Sequence, residues 1–209
     1  MEGRHSFAPP PRGPAAAGGE AAEENLSYGS GLFYRGRIFD LFILIEKDER
    51  LFIIDQHAAH ERILFDRFLK GPIQKQELLV PIPFETESAG DDTFLESRRD
   101  ELASLGLVIK KEKAHTWSIE ALPANWKLDD RKTIEEILSL RTAQEDVARR
   151  WTATLACHAA VKDGDYLDEA AALALAKEAL ALPDPRCPHG RPIWSEISLE
   201  FLLKAVKRI

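Results

Sequence analysis

The chain has 209 residues, 44% of them hydrophobic and 30% charged, which suits one soluble domain or two small ones. A formal net charge of −7 excludes a protein that grips nucleic acid through a basic surface of its own. No run of ~18 apolar residues excludes a helical membrane span, and two cysteines without an export signal argue for a reducing compartment and against a disulfide scaffold.

Residues 1–28, rich in Pro, Ala, Gly and Glu, lack the apolar centre of a secretory signal and read as a disordered linker, which suggests a further domain upstream. FDLFILIE (39–46) and RLFIID (50–55) are apolar and β-branched around a short polar turn, the pattern of a β-hairpin. QHAAHERILFDRFL (56–69) has helical spacing, with Ala58, Ile63, Phe65 and Leu69 on an inner side, until Gly71 and Pro72 stop it. QELLVPIPFE (76–85) is extended, but its two prolines forbid a regular central strand.

TFLESRRDELASLG (93–106) forms an amphipathic helix capped by Asp91 or Asp92, and two strands follow in LVIKKEK and AHTWSIEALP. Helices are expected near 130–141, 144–162 and 168–182. Four prolines and a glycine keep PDPRCPHGRP (183–192) non-helical; IWSEIS is a strand, and Ser198 caps a last helix. Strands and helices mix without a βαβ rhythm, so the fold class is α+β.

Three segments concentrate chemistry. In DQHAAHE, Asp55 ends a strand while His57 and Glu61 lie four residues apart on one helical face, so one imidazole and two carboxylates can converge. The same residues also permit a plain reading, with Asp55 as helix cap, Glu61 on the surface and His57 half-buried. In CPHGRP, Cys187 and His189 alternate on a rigid loop and can reach one ion, while Cys157 in ACHAAVK is either core filler or a neighbouring ligand. Both cysteines and four of the six histidines (57, 60, 158 and 189) fall in these segments. Thiolate, imidazole and carboxylate together suit zinc.

DQHAAHERILFD, ACHAAVK and CPHGRP, in that order and preceded by GRIFDLFILIEKDERLFIID, resemble the endonuclease-bearing form of the C-terminal domain of the MutL DNA mismatch repair family, over about residues 29–209. The resemblance implies metal-dependent nicking of one strand of duplex DNA, with Asp55, His57 and Glu61 catalytic. It implies a metal set of Asp55, His57, Glu61, Cys157, Cys187 and His189, zinc as the ion, and Mn2+ or Mg2+ as further candidates for turnover. It departs from the family at Asp66, where relatives carry Glu, and at His158, where they carry Arg or Lys.

The implied architecture is a discontinuous α/β dimerisation subdomain (29–70 and 154–209) with an inserted external regulatory subdomain (71–153). The implied partners are a second copy, duplex DNA, the mismatch-recognition protein MutS and an N-terminal ATPase domain absent from this sequence, in bacterial cytoplasm at the nucleoid. QELLVP also resembles the peptide by which bacterial repair proteins bind the replication processivity clamp. There Gln76 would be seated by hydrogen bonds while Leu78, Leu79, Val80 and Pro81 fill an apolar cleft; an ordinary edge strand is the other reading. The competing function is a non-catalytic dimerisation module with a structural zinc site.

Overall fold

The computed structural model describes residues 31–143, 146–162 and 164–209. The linker expected over 1–28 lies outside the described residues. The chain begins with β1 (Phe33–Ile38), β2 (Phe42–Lys47) and β3 (Arg50–Asp55), joined by tight turns whose residues Phe39, Asp40, Asp48 and Glu49 all have positive φ. Such turns match the twist of paired strands. The first turn is why β2 starts at Phe42 rather than at 39. β1 escapes a reading of periodicity because Gly36, at φ 117, shifts the register with β2.

Helix α1 (Gln56–Lys70) starts directly at the end of β3. Its inner side is Ala58, Ala59, Ile63 and Phe65, all buried, whereas Leu69 is 47% exposed because the last turn runs beyond the sheet. β4 (Lys75–Glu85) follows, then α2 (Ala89–Ser104), β5 (Val108–Lys113), β6 (Thr116–Pro123) and α3 (Asp130–Ser139) with a 3-10 turn at Leu140–Thr142. α2 begins four residues earlier than its sequence pattern indicates. Ser88 and Asp91 make a reciprocal capping box, so Asp91 is the third helical residue rather than the cap.

Asp92, the other expected cap, is instead buried. It accepts from Thr86 Oγ1 (2.7 Å), Trp117 Nε1 (2.8 Å) and the His115 amide (3.1 Å), and the Trp117 and Thr86 bonds, chiefly, hold its carboxyl far below the usual range. α4 (Val147–Ala159), α5 (Glu169–Leu180), β7 (Trp194–Ser198) and α6 (Leu199–Ala205) complete the chain, with Ser198 capping α6 as its sequence implies.

The α+β class holds as two antiparallel sheets, ordered β1-β2-β3-β7 and β4-β6-β5. One core packs Ile43, Ile45, Phe52 and Ile54 of the first sheet against α1 and α5; the other gathers Leu95, Leu102, Ile109, Trp117, Ile119 and Trp151 around the second. α4 belongs to both regions. Trp151 stacks on Trp126 at 4.3 Å in the second core, while Ala153 and Ala156, further along the helix, pack on Phe65 of α1. The boundary expected at 153/154 therefore falls inside a continuous helix.

β4 is an edge strand. Between Glu77 and Ile82 it advances five residues while its partner retreats only from Ala121 to Ile119, so Leu78–Pro81 bulge out of the ladder. Leu79 and Val80 stand almost wholly in solvent.

Candidate metal centre

Three elements deliver the chemical segments to one place. α1 packs along α4, and the 183–192 loop returns across α1 just before β7. That loop is pinned twice. Arg62, from α1, donates to the Arg186 carbonyl (2.7 Å), and Arg186 and Pro192 form a small β-bridge that closes CPHG into a turn. Within the turn the Cys187 amide donates to the Arg191 carbonyl and the Gly190 amide to the Cys187 carbonyl, both at 2.8 Å.

Glu61, Cys187 and His189 converge there, their ligand atoms all within 4.8 Å of one another. Glu61 is fully buried, Cys187 is 3% exposed, and the His189 side chain is half-exposed at the mouth. His189 Nδ1 lies 3.0 Å from Glu61 Oε1, yet neither Glu61 oxygen has a hydrogen-bond partner among the described residues. A buried carboxylate left unpaired costs several kcal/mol. Facing carboxylate, imidazole and sulfur within 4.8 Å of one another is the arrangement a cation would relieve. The residues present fit zinc.

Cys157, at the end of α4, is the fourth candidate. Burial raises its thiol pKa and the Glu61 charge raises it further, but its sulfur is not among the atoms that converge within 4.8 Å. The Arg191 guanidinium lies against the Cys187 sulfur, which raises the Arg191 pKa, with smaller contributions from Glu61 and Asp55. Arg191 is a cation at the site that residue spacing alone did not single out; its place two residues after His189 was the available signal.

The remaining residues of the expected set are held by other bonds. Asp55 caps α1, accepting from the Ala58 amide at 2.9 Å. His57 turns Nδ1 to the Val161 carbonyl at 2.7 Å. Asp66 pairs with Arg62 at 3.0 Å and so stiffens the residue that holds the loop. His158 lies 6.3 Å from the Trp126 ring, its pKa lowered chiefly by burial. Gln56, fully buried, points its amide nitrogen at the Asp40, Asp165 and Lys162 carbonyls (3.3, 3.2 and 3.5 Å), tying the start of α1 to two loops.

The strand that hands its last carboxylate to a helix cap, the buried acid on that helix and the Cys-x-His loop laid across it follow one another in the order of their sequence motifs. The sequence profile of the MutL C terminal dimerisation domain matches residues 35–167. The DNA mismatch repair protein MutL of Treponema pallidum is 36% identical over 193 residues, covering 92% of this chain and 31% of that protein. The MutL proteins of Methanothrix thermoacetophila (35%) and Koribacter versatilis (37%) each cover 83% of this chain and 32% and 29% of their own lengths. The chain belongs to the MutL family, as its C-terminal dimerisation domain, and spans about a third of the length of these relatives.

Glu61→Gln removes the buried charge while keeping side-chain volume. In chelator-treated protein it raises the melting temperature. Zinc at about a hundred times its Kd stabilises the parent chain by about 2.7 kcal/mol and leaves the variant unmoved in differential scanning fluorimetry.

Proposed function

We propose that this chain is the metal-dependent endonuclease domain of a MutL-type mismatch repair protein, nicking one strand of duplex DNA and forming a homodimer. The observation that carries the reading is the buried Glu61 carboxylate, without a donor and facing Cys187 and His189. Glu61, Cys187 and His189 would hold zinc, with Cys157 as the candidate fourth ligand. A divalent ion bound there supplies a Lewis acid that lowers the pKa of water and offsets charge on a phosphodiester. Mn2+ or Mg2+ would serve turnover in the same role.

Around that ion the chain's own groups have distinct tasks. The Asp55 carboxylate, as helix cap, holds the first turn of α1 in place and adds negative charge at its start. His57 offers a ring nitrogen for proton movement or for a second ligand position. Arg191 brings positive charge to the mouth, where a phosphate would approach.

The display of the other surfaces supports two partners. Leu79 and Val80, pushed out of the edge strand with Gln76 exposed before them, suit the cleft of a processivity clamp, which would bring an acidic domain to DNA. The sheet face opposite the core is also apolar, with Leu44, Leu51 and Ile53 half-buried, and α6 adds exposed Phe201 and Leu202 beside them. A second copy covering this face would complete its burial. We further propose residues 29–70 and 154–209 as the dimerisation subdomain and 71–153 as the external regulatory one, with MutS and the upstream ATPase domain directing the nick in the bacterial cytoplasm at the nucleoid.

Supercoiled-plasmid nicking with added Mn2+ and clamp tests the central reading. Glu61→Ala and Asp55→Asn each lower the rate by about a hundredfold or more; retained nicking sinks it. Bound zinc with no nicking by the parent chain leaves the competing reading, a dimerisation module with a structural zinc.

Gln76→Ala with Leu79→Ala weakens clamp binding in calorimetry by about thirtyfold, or ~2 kcal/mol; unchanged affinity removes the clamp from the account. Phe201→Asp with Leu202→Asp shifts the chain from dimer to monomer in light scattering at micromolar concentration, and an unaltered dimer places the interface elsewhere.

A further inference from the structure

The two histidines of DQHAAHE meet at a single peptide group. His57 Nδ1 lies 2.7 Å from the Val161 carbonyl oxygen, and the Val161 amide lies 3.0 Å from His60 Nδ1. A carbonyl oxygen can only accept and an amide N–H can only donate, so these contacts assign both rings. His57 carries a proton on Nδ1, so in the neutral ring Nε2 is the free nitrogen. His60 accepts at Nδ1 and carries its proton on Nε2.

The arrangement joins two elements. His57 and His60 sit three residues apart on one side of α1, while Val161 follows the end of α4, whose C-cap is Ala160. Neither polar group of Val161 belongs to a helix ladder, and among the described residues the histidines are its hydrogen-bond partners. His60 lines a cleft with Ile63, Arg67, Leu167 and Glu178, and its partial burial and Arg67 lower its pKa, which agrees with an accepting ring.

We propose that His60 is a positioning residue: through the Val161 peptide it fixes the ring plane and tautomer of His57, so that Nε2 is the nitrogen His57 presents. The functional half of this statement rests on the endonuclease reading, in which His57 acts; the structural half stands without it. A histidine that accepts a proton or takes a ligand does so through its unprotonated nitrogen. A partner that holds the other nitrogen therefore sets whether the correct one faces the chemistry. His60 acts one bond further out, by keeping the Val161 carbonyl oriented toward His57. Without an acceptor at His60, the part-buried Val161 amide has no partner and the peptide plane is released to turn.

The test compares the parent chain with His60→Leu, which has no acceptor, and with His60→Asn, whose Oδ1 falls near the position of Nδ1. Imidazole nitrogen shifts are read by NMR in histidine-labelled, chelator-treated protein at neutral pH, together with the exchange rate of the Val161 amide. The parent and His60→Asn chains should show His57 protonated at Nδ1. His60→Leu should show mixed tautomers and Val161 exchange about tenfold faster, as expected for loss of one hydrogen bond.

In plasmid nicking, His60→Leu should lower kcat about tenfold with KM and zinc content unchanged, and His60→Asn should restore it. A parent chain with His57 protonated at Nε2, or a His57 signature identical in His60→Leu, overturns the proposal. So does zinc loss in step with nicking loss, which would make His60 merely structural. If the parent chain nicks under no metal condition, the endonuclease reading fails, while the nitrogen shifts still decide whether His60 sets His57.

Discussion

The buried Glu61 carboxylate is the constraint around which the first region of this protein is arranged. His189 Nδ1 lies 3.0 Å from one of its oxygens and the Cys187 sulfur faces it, while among the described residues no arginine or backbone amide donates to either oxygen. A helix interior normally excludes such a charge or pairs it. Keeping it requires that the other side of the site be supplied from a distant segment. The 183–192 loop does this, stapled to α1 by Arg62 and shaped by its prolines and its own short bridge.

Because the clustered side chains come from α1 and from a loop more than a hundred residues later, the candidate site is as rigid as the packing between them. α4 contributes to that packing on two sides. Ala153 and Ala156 allow close approach to Phe65, while Trp151 anchors the same helix among the side chains of the second core. The helix carries Cys157 in its last turn and continues into Val161, the residue whose peptide both histidines of α1 hold. One helix thus runs from the region that displays the β4 bulge to the region that carries the candidate metal ligands. In a chain with a net charge of −7, this puts the exposed β4 bulge and the candidate metal site on a shared frame.

Apolar surface is left over in two places, and in both the local structure says why. On β4 the bulge at Leu78–Pro81 contains Pro81, which cannot donate to a ladder, and pairing resumes at Ile82. On the first sheet, strands apolar on both faces find helices on only one of them, and α6 buries none of its residues within the chain. Both faces are consistent with a protein whose family is defined by dimerisation.

Much of this was legible in the order of residues alone. Local rules are enough for the β2–β3 hairpin, for α1 with its stop at Gly71, for the irregular loop at 183–192 and for the cap at Ser198, because each depends on neighbours a few positions away. The kinship was legible too, since the spacing within DQHAAHE and CPHGRP survives in any fold. Which members of those motifs meet was a tertiary matter. Helical spacing puts His57 and Glu61 on one face, but the hydrogen bond from His57 to Val161 draws that ring toward the end of α4, and Asp55 caps its helix. The burial of Asp92 likewise depends on Trp117, which the chain supplies from β6. Sequence determined the ligand types and the local scaffold on which they ride; packing between α1, α4 and the returning loop selected Glu61, Cys187 and His189 from among them, because convergence within a few ångströms is a property of long-range contacts that no local pattern carries.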